Sequence, residues 1–448
     1  MKILVLNGSP KGAMSITLQT VRYLAQCFPT DSFETLHVGR DIKKYERDFA
    51  PALTALNNAD LILFAYPVYT FLVPYQLHRF LELLKASGAD LQGKLSAQIS
   101  TSKHFYHITA HRFIAENCGD MGLAYLGGLS ADMDDLLTEK GRLQATDFWE
   151  RLHFCAANDL VQPPCNPSIH APREPYKPVL SSVAKKDGYT AVILTDSLDP
   201  DGSIAAMIED FTRAFPYQTK VVALAEFPFK GGCLGCFHCA SNGTCVYSDG
   251  FDAFLRREIQ SADAIIYAFA IRDHSMGATF KLYDDRQFCN GHRTVTMGKP
   301  VGYLMIGDYF GESNLQTVVN GRSEVGQNFL AGVVSDKGDR AQAIQNLVLS
   351  LSYALLHKTV QPQNFYGVGG AKIFRDLIFT MRGLMREDHR FYKAHGFYDF
   401  PQKQWGTILK MQVVGALLAV PSVQKKMGGR MNAEIIKPYE AVIRSVSK

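Results

Sequence analysis

The hydrophobic pattern of the first third of the chain predicts a parallel sheet wrapped by helices. Runs rich in leucine, valine and isoleucine at Lys2–Leu6, Phe33–Val38, Asp60–Ala65 and Ala97–Ser100 have the length of buried strands. At Leu18–Cys27, between the first two strands, apolar residues recur at three- and four-residue spacing, which is typical of an amphipathic helix. This alternation of strand and helix indicates a doubly wound α/β unit.

The same alternation restarts in the second half of the chain. Strands are predicted at Thr190–Thr195, Lys220–Ala225, Ala264–Phe269 and Val301–Ile306, with a helix at Ser203–Phe215. The order of these elements follows that of the first half. We therefore interpret the sequence as a degenerate internal repeat, with two doubly wound units in tandem.

Proline and helical periodicity divide the chain further. Residues 161–188 contain six prolines, a density that excludes helix and central strand and predicts an extended linker. Residues 1–160 and 189–340 are then the two α/β domains. Helical patterns dominate beyond residue 341, so 341–448 is predicted to be a helical C-terminal extension that packs on the sheet or on a partner subunit.

Composition excludes several classes of protein. The net charge is +4 over 448 residues and no Lys/Arg-rich arm is present, so we expect no nucleic-acid partner. The chain opens on a strand rather than a signal peptide, and its longest apolar stretch, Met411–Val420, is too short to span a bilayer. Nine cysteines, an odd number, fit a reducing compartment. These features predict a cytoplasmic protein without a membrane span.

Four of the cysteines form a compact motif. Cys233, Cys236, Cys239 and Cys245 follow the spacing C-x2-C-x2-C-x5-C, which lets a turn direct successive sulfurs at one point. Four thiolates suit an iron–sulfur cluster or a tetrahedral zinc ion. Zinc sites usually split their ligands into two distant C-x2-C pairs, so the spacing favours a cluster. A redox pair or buried thiols without metal are the remaining interpretation.

Two loops that follow strands of the first domain carry candidate binding residues. The first contains Gly8-Ser9-Pro10-Lys11 with Ser15 and Thr17 just before a helix, an arrangement in which hydroxyls and backbone N–H groups bind phosphate. The second, Pro67-Val68-Tyr69-Thr70, opens an aromatic loop suited to covering a planar ring. In an open α/β sheet, such loops meet outside the carboxyl ends of the strands.

Together with Pro74 and the helix Gln76–Leu84, the first two loops resemble the NADPH-dependent FMN reductases, a family of flavodoxin-like fold. The resemblance implies that the first loop binds the FMN phosphate and that the second borders the isoalloxazine ring. In flavodoxin-like proteins, the loop after the fourth strand also touches the flavin, and its His104 and His107 are candidate proton donors or ring contacts. The FMN contacts that the resemblance implies are Ser9, Lys11, Ser15, Thr17, Pro67, Val68, Tyr69, Thr70, Thr101 and Ser102.

The cysteine motif, followed by Asp249 and Asp252, is similar to that of the iron–sulfur flavoproteins of the same superfamily, which implies a [4Fe–4S] cluster at Cys233, Cys236, Cys239 and Cys245. In that family the cysteines share a domain with FMN, whereas here they lie in the second repeat. If the repeats pack as a pseudo-dimer, the cluster of one would approach the flavin of the other. Arg272 and His274 could then face the flavin or lie on the surface.

One flavin is expected rather than two. The loop of the second repeat that would hold a phosphate carries Asp196, Asp199 and Asp201, whose charges would repel it. The preferred interpretation is an NAD(P)H-linked oxidoreductase that passes electrons between FMN and the cluster, to a small molecule or a redox protein. The alternatives are an electron carrier that serves a protein partner, and an FMN reductase with structural zinc. We also expect a homo-oligomer.

Overall fold

The computed structural model describes residues 1–165, 176–196, 202–335, 338–399, 401–423 and 431–446. These residues form two compact units, Met1–Asp388 and His389–Lys448. The first unit contains both α/β repeats, and the second consists of helices.

The first repeat is a five-stranded parallel sheet in the order β2-β1-β3-β4-β5. Register is set by pairs such as Ile3 with Leu61 and Leu61 with Leu95. The strands are β1 Lys2–Asn7, β2 Ser32–Leu36, β3 Leu61–Pro67, β4 Leu95–Ser102 and β5 Ala124–Asp132. The helices that wrap it are α1 Ile16–Cys27, α2 Val38–Arg47, α3 Ala50–Asn58, α4 Tyr75–Ala86, α5 His107–Asp120 and α6 Glu139–Ala157.

The second repeat has the same topology. Its strands run in the order β7-β6-β8-β9-β10, all parallel, which matches the first sheet strand for strand. They are β6 Thr190–Thr195, β7 Gln218–Ala223, β8 Ala264–Ala270, β9 Pro300–Ile306 and β10 Phe329–Val334. This order is the flavodoxin-like one, so the predicted fold of two tandem doubly wound sheets followed by a helical region is confirmed.

The helices after β6 are of two kinds. Two short ones, α8 His238–Asn242 and α9 Phe251–Phe254, lie around the cysteine motif, and α9 continues into a wider turn at Leu255–Ile259. The others cover the sheet or form the C-terminal region. They are α7 Ser203–Ala214, α10 Gly277–Arg286, α11 Ser313–Val325, α12 Arg340–His357, α13 Phe365–Thr380, α14 Arg386–Ala394, α15 Trp405–Leu418 and α16 Met431–Val446.

One hydrophobic core joins the two repeats, and each sheet has a second core on its outer face. The shared core contains side chains from both sheets together with α4 and α10. Trp149 of α6 fills the outer core of the first sheet, and Leu347 and Leu351 of α12 fill that of the second. Helix α12 therefore belongs to the second α/β layer, although its sequence was predicted as part of the C-terminal extension.

The contact between α4 and α10 is symmetric: an acidic side chain of each helix binds the N-terminus of the other, as in a two-fold dimer. Asp285 of α10 accepts a hydrogen bond from the backbone N–H of Tyr75 at the start of α4, at 2.7 Å. Glu82 of α4 accepts one from the backbone N–H of Ala278 at the start of α10, also at 2.7 Å. The two repeats therefore pack as a pseudo-dimer within a single chain.

Part of the predicted linker is fixed to the second repeat. The buried carboxylate of Asp210 on α7 accepts hydrogen bonds from the Tyr176 hydroxyl at 2.6 Å and from the Leu180 backbone N–H at 2.8 Å. Further on, the N–H of Lys186 donates to the carbonyl of Pro216 at 2.7 Å. This stretch therefore packs along α7.

A buried histidine at the interface between the two repeats makes the free energy of unfolding depend on pH. Burial disfavours the charged form of His274, but hydrogen bonds to Asp120 and Glu312 outweigh it and raise the pKa to about 10. Because the folded-state pKa lies above the unfolded value, this stabilisation is complete below pH ~6.5 and is lost as the pH rises through 10. We expect the urea concentration at the midpoint of denaturation to decrease as the pH rises from 7 to 10.

The His274→Gln variant is the control for this pH dependence, because glutamine cannot gain the charge. We expect it to be less stable than the parent at pH 6 and to show a flatter profile between pH 7 and 10. An unchanged profile in the variant would show that other groups cause the alkaline loss. Urea denaturation followed by circular dichroism at each pH measures both.

Candidate functional site

The loop after β1 is built around Asn7. Its side-chain nitrogen donates to the carbonyl of Gly12 at 2.8 Å, and its oxygen accepts from the backbone N–H of Ser9 at 3.2 Å. Gly12 has a φ of +55°, which favours glycine. Ser15 then caps α1 by accepting from the N–H of Leu18 at 3.4 Å. The loop thus leads into a helix N-terminus, where N–H groups lack intrahelical partners.

This first loop rests on Gly39 of α2. A Cβ atom at Gly39 would come within 3.0 Å of the carbonyl oxygen of Gly8 and the backbone of Ser9. Sequence reasoning missed this residue, since its importance comes from an approach of two backbones that are distant in sequence. Only glycine allows the approach.

We expect Gly39→Ala to displace the first loop and to weaken FMN binding more than it weakens folding. Overpacking of this kind costs about 1–3 kcal/mol, which corresponds to roughly a tenfold to hundredfold loss of affinity if it falls mainly on the loop. The control is Gly369→Ala on α13, where a Cβ meets nothing within 4 Å. Fluorescence titration of the apoprotein with FMN measures both, and equal affinities would contradict the prediction.

The loop after β3 is held by the second repeat. Thr70 and Phe71 adopt left-handed backbone conformations, with φ values of 43° and 72°, between the bridged residues Tyr69 and Leu72. Asp285 of α10 accepts from the Thr70 hydroxyl at 3.0 Å, and Lys281 donates to the carbonyl of Tyr69 at 2.8 Å. Lys281 and Asp285 also form a buried ion pair with each other.

Strand β4 ends in Thr101 and Ser102, both of which are buried. Among the described residues, the Thr101 hydroxyl has no hydrogen-bond partner, although it is buried against the cavity described below. A buried hydroxyl without a partner is costly, so it fits a ligand that supplies one. His104 and His107 follow this strand, but neither is among the described residues that line the cavity. Their proposed role in catalysis stays a prediction.

Left-handed residues fold the cysteine motif back on itself. Gly235 has a φ of +60° and Phe237 of +61°, one between each pair of successive cysteines from Cys233 to Cys239. Asp252 fixes the end of the motif by accepting from the backbone N–H of Cys245 at 2.6 Å. Burial raises the pKa of the Cys233 thiol. For Cys239, burial is the largest cause and nearby acidic groups are the next, and together they raise the pKa to about 11. Thiols of this kind release their protons when a metal cation binds to them.

Four cysteine thiolates are a donor set that suits either an iron–sulfur cluster or a tetrahedral zinc ion. All four lie against the same cavity. Which of the two groups they hold stays a prediction from the spacing of the motif.

All fourteen residues predicted to bind FMN or metal line one cavity of about 240 Å³. The ten from the first repeat lie in the loops after β1 and β3, at the ends of β3 and β4 and at the start of α1, and the four cysteines come from the second repeat. The two sets are in close contact. A Cβ at Gly235 would overlap the Tyr69 hydroxyl, and the Lys11 ammonium lies 5.7 Å from the centre of the Phe237 ring. The cavity is thus formed within a single chain.

Arg286 is a cavity residue that sequence reasoning did not single out. Its buried guanidinium pairs with both carboxylate oxygens of Asp249, at 2.8 Å each, and lies 4.5 Å from the ring centre of Tyr247. Burial opposes the charge of Asp249, but the bonds from Arg286 lower its pKa to about 2. The result is a buried, fully paired ion pair beside the cysteines. Asp249 lies 37 residues before Arg286, so no local motif in the sequence links the two.

The loop after β8 of the second repeat carries Arg272 and His274. His274 is buried in the carboxylate cluster at the seam, and Arg272 bridges to Ser275. Neither is among the described residues that line the cavity. Asp199 and Asp201, which were predicted to exclude a second phosphate, lie outside the described residues.

Comparison with known proteins agrees with the predicted resemblance. Residues 1–114 match the family model of the NADPH-dependent FMN reductases. A protein of Archaeoglobus fulgidus named iron–sulfur flavoprotein is 28% identical over 178 residues, which cover 37% of this chain and 79% of that protein. The sequence of the first repeat is therefore similar to those of the NADPH-dependent FMN reductases.

Solved structures that resemble the chain include two with FMN. One is an FMN-dependent NADH-azoreductase of Bacillus anthracis, at 13% identity and a TM-score of 0.27, covering 36% of this chain and 99% of that one. The other is general stress protein 14 of Treponema denticola, at 15% identity and a TM-score of 0.28, covering 34% of this chain and 99% of that one.

Proposed function

Since residues 1–114 carry the sequence pattern of the NADPH-dependent FMN reductases, we propose that this protein is an NAD(P)H-linked FMN oxidoreductase that exchanges electrons with a [4Fe–4S] cluster in the same cavity. One observation carries the proposal. Three loops of the first repeat and the cysteine motif of the second repeat line a single cavity. Two electron-handling groups placed there would be neighbours.

The first repeat supplies the FMN contacts in this proposal. Ser9, Ser15 and Thr17, with the N-terminus of α1, receive the phosphate, whose charge the helix dipole favours. Tyr69 and its neighbours border the ring, and the Thr101 hydroxyl gains the partner it lacks. The second repeat fixes the ring loop through Lys281 and Asp285.

The second repeat supplies the cluster ligands. The compact C-x2-C-x2-C-x5-C spacing supports iron–sulfur over zinc. When bound, the flavin exchanges electron pairs with a nicotinamide and the cluster carries single electrons. The packing of Gly235 against Tyr69 would hold the cluster ligands beside the loop that borders the flavin.

Anaerobic isolation with metal and cofactor analysis tests this proposal. We expect one FMN with about four irons and four sulfides per chain, and oxidation of NADH or NADPH with an artificial acceptor. Zinc without sulfide would overturn the cluster and favour an FMN reductase with structural zinc. FMN and cluster without NAD(P)H oxidation would instead indicate an electron carrier that serves a protein partner.

A further inference from the structure

The second compact unit, His389–Lys448, exposes two apolar helices. None of the residues of α15 is buried, and most of the large apolar side chains described on α16 face solvent. Ten large apolar side chains on or next to these helices are between 46% and 69% exposed. They are Trp405, Leu409, Met411, Val413, Leu417, Val420, Ile436, Tyr439, Val442 and Ile443.

Helix α15 has the composition of a buried helix. Among its fourteen residues, only Thr407, Lys410 and Gln412 carry polar side chains, so apolar residues occur on every side. A helix that is apolar all round normally lies in a protein core or in lipid. An apolar segment of 10–14 residues that is not in a core is typical of an interfacial segment.

The helix is too short to cross a bilayer. Fourteen residues at ~1.5 Å each give about 21 Å, against a hydrocarbon core of about 30 Å. Across the described ranges, no helix combines the length and the apolar character that spanning requires. Contact with lipid would therefore be limited to one face of a membrane.

The charge of this unit is opposite to that of the rest of the chain. His389–Lys448 contains ten Lys and Arg against three Asp and Glu, a net charge of +7, whereas residues 1–388 contain 37 and 40, a net charge of −3. Each basic residue near an anionic lipid surface adds attraction. Two copies of a unit with this charge would instead repel each other.

We propose that His389–Lys448 binds the surface of anionic membranes. Helix α15 lies parallel to the membrane surface just below the headgroups, where acyl chains can cover its apolar side chains on every side. Trp405 and Tyr439 occupy the headgroup level, where amphipathic aromatic rings are favoured. Basic residues of this unit contact lipid phosphates.

Two measurements on the full-length holoenzyme test the proposal. The first is flotation with vesicles of 30% phosphatidylglycerol in phosphatidylcholine, compared with pure phosphatidylcholine and repeated at ~0.5 M NaCl. The second is tryptophan emission. The chain has two tryptophans, of which Trp149 is fully buried and Trp405 is largely exposed, so a blue shift reports on Trp405.

We expect flotation with the anionic vesicles alone, its loss at high salt, and a blue shift that the Trp405→Phe variant abolishes. Leu409→Gln with Val413→Gln should weaken binding by about tenfold for each side chain changed. Leu349→Gln, an equally exposed leucine on α12, should bind as the parent does. All variants should retain parental flavin content and NAD(P)H oxidation.

Absence of flotation with anionic vesicles would overturn the proposal, as would parental binding by the doubly substituted variant. Equal binding to neutral vesicles would contradict the role of charge. If the double variant changes the oligomeric state in light scattering and the parent does not bind vesicles, the apolar face is covered by a second copy. None of these outcomes would affect the proposed redox function, because the experiments that test that function use no lipid.

Discussion

Replacing Cys236 by serine is expected to remove most of the iron and sulfide from the protein while leaving FMN bound. Loss even of a group that only orients a metal ligand lowers metal affinity by about 10–100-fold, so loss of a ligand itself should do more. Cys236 is exposed, and its thiol can therefore be changed with little effect on packing. Reduction of one-electron acceptors should fall with the iron content.

Cys27→Ser provides the matched control. Cys27 is also an exposed free cysteine, but it lies at the end of α1 and away from the motif. We expect it to retain parental iron, sulfide and FMN. Colorimetric iron and sulfide assays after anaerobic purification decide the outcome. Parental iron in Cys236→Ser would show that the other three cysteines and a different group hold the metal, contrary to our assignment.

Replacing Lys281 by methionine is expected to lower the free energy of unfolding by about 3–5 kcal/mol, because Asp285 would remain buried without its cation. Both side chains are fully buried at the seam between the repeats. The variant should also bind FMN more weakly, since the Tyr69 carbonyl loses its donor. Urea denaturation and FMN titration measure the two effects.

Two further variants separate charge from packing. Lys281→Met combined with Asp285→Asn removes the unpaired charge and keeps one amide oxygen to accept from the Tyr75 N–H. The amide NH2 can donate to the Thr70 hydroxyl, so the double variant should recover much of the lost stability. Arg213→Met breaks a surface pair with Glu209 at the same four-residue spacing, and it should cost only about 0.5 kcal/mol. A loss below about 1 kcal/mol in Lys281→Met would contradict the importance of the buried pair.

Interior strands were predictable from sequence, but only two of the four edge strands were. Strands β1, β3, β6 and β8 are nearly continuous apolar runs, because both faces of a parallel sheet are covered. The edge strands β2 and β7 overlap the predicted strands Phe33–Val38 and Lys220–Ala225. The edge strands β5 and β10 are half-buried and contain glycine, so their pattern was too weak to predict.

Residues of the site were predictable where they belong to a contiguous motif. The cysteines were found from their spacing and the FMN contacts from a family resemblance carried by contiguous motifs, and all fourteen residues line the cavity. Gly39, Lys281 and Arg286 were missed as site residues, because each acts on a segment far away in sequence. Lys281 reaches the carbonyl of Tyr69 only because the two repeats pack together.

A single-turnover reduction under anaerobic conditions tests most directly whether flavin and cluster share one cavity. The holoprotein is mixed rapidly with NADPH, and the flavin band is followed together with the broad iron–sulfur absorption at roughly 400 nm. The shared cavity predicts that the iron–sulfur band bleaches after the flavin band, at a rate independent of protein concentration. A rate that rises in proportion to protein concentration, or a flavin that bleaches while the iron–sulfur band does not, would contradict it.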